Sequence, residues 1–508
     1  MKQSATYRAG RAALLAVSAL TAVAAASAQA VYVRGFEGTS QLDNCALNQC
    51  FRPPDTMGAI GTTQYLETNN GSVAVFDKST GGLLQRFSMP TFWSNVGLPG
   101  GASGDQRVLF DHYTNRWIMN GFGATGNVIN IAVSDTSNAL GSWKSTAITV
   151  LPSGTADYPT LALDDKGVYI GTNNFNASNS FTGTTLMSIP KASLFGGVPS
   201  TAGMTIFTTL LAGPDNGFAI QPAVNWQGNP TNTLSVIADS RDFNAQVFYK
   251  VNGVNAAGAT QTASLQIVGS GYTGAGSGRQ PDGTRTVDTL SPRITANAVQ
   301  VNGKIFSTAT VQADAAVGDF AAVRWTVVDA STGALLSSGK IQQANFDFYE
   351  GAIAVNEFGE ALIGYNRSGN VTADGNGDGK ADGNISFMAR AYDVSGNLLV
   401  QDGAEMLLRV SDTGDYHCTV VAPATTCRER WGDYAAVTID PSNHRRFYAI
   451  GEYAAPSAII PGVTTTPRSI WHTYVAEVAM VPEPSQYALM ILGLGVIGFA
   501  ARKRRQPR

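Results

Sequence analysis

The chain has 508 residues, 14% of them charged and 44% hydrophobic, with 55 glycines and 21 prolines. That balance excludes a disordered chain and describes a turn-rich globular body, one large β domain or two smaller ones. Residues 1–30 hold three basic side chains and 483–508 hold five against one acidic, which leaves 26 basic and 36 acidic between them; a body near −10 excludes nucleic acid, whose binding rests on phosphate neutralisation.

Residues 1–30 read as a secretory signal peptide. Arg8 and Arg11 form its charged start, Ala12 to Ala26 its apolar run, and Ala28-Gln29-Ala30 a small-x-small cleavage site before Val31. As a membrane anchor the run is too short and too rich in alanine. The body is then expected over 31–480, and Val31 to Gly38 is placed to supply a closing strand.

Within the body one grammar recurs. GDQRVLFDHYTNRWIMNGF (Gly104 to Phe122), DYPTLALDDKGVYIGTN (Asp157 to Asn173), YEGAIAVNEFGEALIGYN (Tyr349 to Asn366) and RWGDYAAVTIDPSNHRRFYAIGEY (Arg430 to Tyr453) each open on an acidic residue, run through a small apolar strand, turn on Asp, Asn, Gly or Pro, and return as an aromatic strand. Such stretches are hairpins. Their starts fall at Asp55, Asp105, Asp157, near Gln221, near Asp288 to Arg293, at Glu350 and at Asp433. A second hairpin type, SVAVFDKSTGGLLQRF (Ser72 to Phe87), RWTVVDASTGALLSSG (Arg324 to Gly339) and MARAYDVSGNLLVQDG (Met388 to Gly403), follows some of the first, with an Asp expected to bond the turn backbone. Two hairpins per unit make a four-stranded blade. Radial repetition predicts an all-β β-propeller of seven blades, with six or eight compatible with the poorly patterned stretch from 220 to 300. A two-domain β-sandwich shares the same alternation and is the competing architecture.

All four cysteines lie in the exported part, as the local pairs Cys45 with Cys50 and Cys418 with Cys427. Two disulfides are expected, each worth about 2–3 kcal/mol in the chain-entropy picture. Zinc is the alternative, with His417 the one nearby imidazole and a spacing unlike the usual knuckle.

Ser134 to Trp143, with its Ser-Asp-Thr start and Gly-Ser-Trp end, resembles a loosened Asp box of sialidase-like propellers, a turn that ties a hairpin together. Asp374, Asn376, Asp378, the Lys380 carbonyl and Asp382 stand at positions 1, 3, 5, 7 and 9 of a loop with Gly379 at its bend, the pattern oxygen ligands need around Ca²⁺. It resembles the calcium loop of EF-hands and dockerins. Ile385 takes the place of the bidentate Glu, so a further ligand such as Asp393 is needed, and the ion would order a loop without catalysing. A solvated Asp/Gly turn is the alternative.

The unit starts converge on the axis of a propeller, and they carry Asp157, Arg107, Arg293, Tyr349, Glu350, Arg430 and Asp433. Arginines beside a Tyr-Glu pair resemble a sialidase site, but that family's Arg-Ile-Pro start and repeated intact Asp boxes are absent. The same side chains would serve equally to tie neighbouring blades together. No G-x-S-x-G elbow and no H-x-x-x-H pair is present, so serine and zinc catalysis find no support.

Val481-Pro482-Glu483-Pro484, an apolar segment Tyr487 to Ala501 and the basic run Arg502 to Arg505 resemble a PEP-CTERM sorting tail, which gives a boundary of 481–508. The resemblance implies recognition by an exosortase near Pro482, Glu483 and Pro484, transient anchoring in the inner membrane, and delivery to the cell surface or beyond. About fifteen apolar residues span roughly 22 Å, short of a comfortable bilayer crossing. The expected function is an exported binding or structural module associated with extracellular polysaccharide; the alternative is a glycoside hydrolase or lyase acting on extracellular glycans.

Overall fold

The computed structural model describes residues 28–101, 104–208, 217–414, 416–417, 429–460 and 467–482. A compact unit spans Tyr32–Ala479; the other unit, Met1–Val31 with Met480–Arg508, falls almost wholly outside the described residues. The signal peptide's charged start and apolar run, Glu483, Pro484, Cys418 and Cys427 lie outside them as well.

The body is all-β, a propeller of antiparallel meanders. Four four-stranded sheets, one five-stranded sheet and the two halves of a nine-stranded sheet follow one another along the chain. Their innermost strands are Met57–Ile60, Arg107–Asp111, Thr155–Asp157 with Ala162–Leu163, Phe218–Asn225, Ala298–Val301, Phe346–Val355 and Ala436–Ile439. The nine-stranded sheet arises where two inner strands pair in parallel, Ala223 opposite Ala298. Between these halves the chain makes a long excursion that carries only the short hairpin Gly278–Arg279 and Arg285–Val287.

Burial grades outward. The second strand of the first meander, Gln64–Asn69, is buried throughout, whereas its outer strand Leu83–Ser88 is exposed or half-buried. Inner strands carry small and β-branched residues because sheets cover them on both faces. The apolar clusters accordingly lie between neighbouring sheets: Val73, Trp93, Val108 and Trp117 join the first and second, and Phe306, Trp325, Ile353 and Tyr365 join the fifth and sixth.

Ala28–Ser40 completes the last sheet, pairing with Arg468–Pro482 as its outermost strand. This is the closing strand expected from Val31 to Gly38, and it begins earlier than that reading placed it. Glu67, fully buried in the first meander, accepts hydrogen bonds from the Thr39 amide (3.1 Å) and the Thr473 hydroxyl (2.8 Å). One carboxyl thereby ties the first sheet to two strands of the last.

The outer turns are built as expected in two of three cases. Asp77 Oδ1 accepts from the amides and hydroxyls of Ser79 and Thr80, and Asp329 does the same with Ser331 and Thr332. Asp393 departs: it pairs with Val400 inside a strand, because the hairpin turns in two residues, with Ser395 opposite Leu398 and Gly396 at φ +61°. The Ser134 turn closes on itself, with Trp143 Nε1 donating to the Ala139 carbonyl at 2.8 Å. Cys45 and Cys50 form a disulfide.

Candidate functional site at the strand-start mouth

Six repeats place a non-glycine residue in the left-handed region within the inner strand or in the segment leading into it: Asp55, Asp105, Tyr158, Ala219, Leu290 and Glu350, with φ between +49° and +62°. Each costs about 1–2 kcal/mol. Ala219 and Leu290 bring no chemistry to the position, so the conformation belongs to the repeat. Register shifts beside Ala219 and Glu350 mark it as a bulge that turns a side chain toward the axis.

The bulges gather carboxyls. Asp433 donates its amide to Asp55 Oδ1 at 2.8 Å, and the Tyr434 hydroxyl donates to Asp105 Oδ2 at 2.6 Å. Burial, then the nearby Asp433 and Asp105, push Asp55 well above the usual carboxylate range. Burial and the Asp157 charge push Asp105 up to about 7. Burial raises Asp157, and burial with Glu452 and Asp288 raises Glu350 well above its ordinary value. Glu452, also buried and raised chiefly by burial, completes the lower layer. Among the described residues Glu350 Oε1 has no hydrogen-bond partner.

Cations occupy the upper layer. Arg430 bonds Asp433 at 2.6 Å and approaches Asp288 at 3.4 Å, while Arg293 stands 3.7 Å from Asp433. These side chains are partly open, 36% for Arg430, 20% for Arg293 and 15% for Asp433. Of the residues named from the sequence, Asp157, Glu350, Asp433, Arg293 and Arg430 therefore meet at one mouth.

Arg107 and Tyr349 are placed elsewhere. Arg107 is fully buried and reaches across the axis: it donates to the Thr295 carbonyl at 3.1 Å, and its guanidinium lies 3.9 Å over the Tyr434 ring and 5.5 Å from that of Tyr158. Tyr158 donates to the Ile294 carbonyl at 3.1 Å. Tyr349 packs in an apolar cluster with Trp431 and Trp471, so sequence adjacency to Glu350 does not make a pair in space. Glu452, which comes from a second strand, went unread in the sequence, and Asp288, on the excursion, was named only as a unit start and not as a site residue.

The Asp374 loop turns its oxygens on its own backbone. Asp374 accepts from the amides of Gly377, Asp378 and Gly379, Asp378 from Lys380, and Asp382 from Gly375. Among the described residues no three His, Cys, Asp or Glu side chains converge as metal ligands. Asp393 cannot complete such a site: it lies seven residues along the strand Ser386–Ser395, roughly 23 Å from the end that the loop enters.

No curated protein matches the chain in sequence. Among solved structures it is similar to the Dos1 propeller at 9% identity and TM-score 0.37, covering 89% of this chain and 96% of that one. It is similar to a neuraminidase-like protein of a little yellow-shouldered bat isolate at 7% and 0.36 (67% and 95%), and to an endo-arabinase from Bacteroides thetaiotaomicron at 12% and 0.32 (61% and 94%). Among the described residues no helix is long and apolar enough to cross a membrane. The PEP-CTERM protein-sorting motif matches residues 481–505, which makes this propeller a sorted, exported protein of the cell envelope or surface.

Proposed function

We propose that the protein is a binding module of the cell surface or extracellular matrix, and that its strand-start mouth takes a sugar unit of an extracellular polysaccharide. What supports this is the gathering of partly open Arg293, Arg430 and Asp433 with the carboxyls Asp55, Asp105 and Asp157, all raised chiefly by burial. A carboxyl that holds its proton both donates and accepts, as sugar hydroxyls do. Carboxyls outnumber guanidinium groups here, so neutral or amino sugars suit the mouth better than uronates. Titrating the purified protein with neutral oligosaccharides tests it: Arg430→Gln and Asp433→Asn are each expected to weaken binding about tenfold, and unchanged affinity removes the mouth as the site.

A glycosidase is the second reading, favoured by a buried carboxyl, Glu350, raised well above its ordinary value by burial near the ion-paired Asp433. Turnover of aryl glycosides that Glu350→Gln abolishes would establish it; parent protein without turnover leaves the binding module. Exosortase remains the proposed processing partner. Calcium is proposed for the Asp374 loop on its ligand order alone, since the carboxyls must turn outward to meet an ion. The expected result is a melting temperature higher in calcium chloride than in EDTA, and equal values exclude the ion.

A further inference from the structure

The inner strands end on the face opposite the carboxyl mouth, and there three cavities adjoin. One of about 280 Å³ has a lining that includes Trp226, Gln227 and the ion-paired Glu357 and His444. Beside it lies one of about 570 Å³ whose lining includes Thr233, Lys250 and Lys304, and a third of about 270 Å³ shares Asn302 and Lys304 with it.

Asn302 is the hub. Asn302-Gly303 is the two-residue turn between Val301 and Lys304, with φ +50° and +73°, the Asn-Gly pair that such a hairpin demands. Its amide donates to Gln227 Oε1 at 2.6 Å, Gln227 Nε2 donates back to Asn302 Oδ1 at 2.7 Å, and Asn302 Nδ2 reaches the Glu357 carbonyl at 3.1 Å. These bonds link the turns of three neighbouring meanders into one low wall between cavities.

The chemistry along this row is graded. At one end Trp226 presents an indole held flat by His112, stacked 4.5 Å away at 25°. Burial lowers the His112 imidazole to about 4, so the support is uncharged at neutral pH. At the other end stand two ammonium groups. Lys250 Nζ bonds only the Ser331 carbonyl at 3.3 Å, and among the described residues neither Lys250 nor Lys304 forms an ion pair. The acid lining that cavity, Asp329, accepts four bonds from its own turn through Oδ1 and forms no ion pair with either lysine.

We infer that this row of cavities is a second carbohydrate site, for an acidic oligosaccharide strand of about three units, with a ring stacked on Trp226 and carboxylates set against Lys250 and Lys304. An aromatic face takes the apolar side of a sugar ring, and two ammonium groups against one carboxylate leave this cavity a surplus of positive charge for an acidic unit. The site does not depend on the carboxyl mouth, which the opposite charge suits to neutral or amino sugars.

Trigalacturonic acid and xylotriose are titrated separately into the purified protein, following tryptophan fluorescence and heat. The expected result is binding of trigalacturonic acid that weakens as salt rises, falls about tenfold or more in Trp226→Ala, and falls by a similar factor in the double substitution Lys250→Gln with Lys304→Gln. Arg430→Gln should leave it unchanged. Equal affinity for the two trimers, no binding of trigalacturonic acid, or loss in Arg430→Gln without loss in the lysine variant overturns the inference. Melting temperatures of the variants matching the parent keep the comparison sound; should Trp226→Ala melt early, Trp226→Phe, which retains a stacking ring, is expected to recover most of the affinity, and failure to do so counts against the site.

Discussion

Glu67→Ala is expected to lower stability by about 2–4 kcal/mol, the cost of one stranded buried donor, two weakened ones and the cavity left behind. The alanine would strand Asn69 Nδ2 and remove one of two acceptors from the Thr39 amide and the Thr473 hydroxyl, which keep Thr473 Oγ1 (2.7 Å) and the Thr39 carbonyl (3.1 Å). All are buried, so water cannot replace it. Glu67→Gln keeps an acceptor oxygen in the same place and should cost only about 1 kcal/mol. Burial raises the Glu67 carboxyl above its ordinary value, which also favours a neutral side chain there. Denaturant midpoints measure the difference, and limited proteolysis should release the strand Ala28–Ser40 early in the alanine variant. An alanine variant within about 0.5 kcal/mol of the parent would mean that closure does not lean on this residue.

Raising the pH from about 5 to about 8 is expected to destabilise the protein. Asp55, Asp105, Asp157, Glu350 and Glu452 all have raised values in the folded state. Between the ordinary carboxyl value near 4 and those raised values, the folded chain therefore holds more protons than the unfolded chain, and stability falls as pH climbs. Asp105, lifted from 3.8 to about 7, contributes on the order of 3 kcal/mol of this by itself. Below about pH 4 the trend reverses, because Asp77 and Asp329 are held low by their turns and lose those bonds on protonation. The sharper test is Asp105→Asn, which still accepts from Tyr434: it should melt higher than the parent at pH 8 and nearly equal to it at pH 5. A parent melting curve that rises from pH 5 to 8 contradicts the protonation state given to the whole cluster. If the prediction holds, the mouth stores instability that a purely structural axis would have shed.

Much of the ring was legible because its hairpins are local. Gly104 to Phe122 contains Arg107–Asp111 paired with Arg116–Phe122, joined by the turn that its Asp and Asn announce. The stretch from 220 to 300 was not legible for a physical reason. Its two inner strands meet in parallel, Ala223 with Ala298, across an excursion whose length no local pattern encodes. The site divides the same way. Asp157, Glu350 and Asp433 could be named because unit starts converge on the axis of any propeller, whereas Glu452 reaches the axis from the strand Arg446–Ala458, where alternation marks it only as inward-facing. Tyr349 was misleading, since the left-handed turn at Glu350 sends the two neighbours into different surroundings.

The strand Arg468–Pro482 lies between two hydrogen-bonded neighbours in the last sheet, Ala28–Ser40 on one side and Arg446–Ala458 on the other. The sorting motif follows directly from its end. Tension applied there along the strand loads both ladders together in shear, so they resist as a set and do not open bond by bond. The closing strand thus makes the last sheet a mechanical fastening, one in which a pull on its C-terminal end meets two ladders at once.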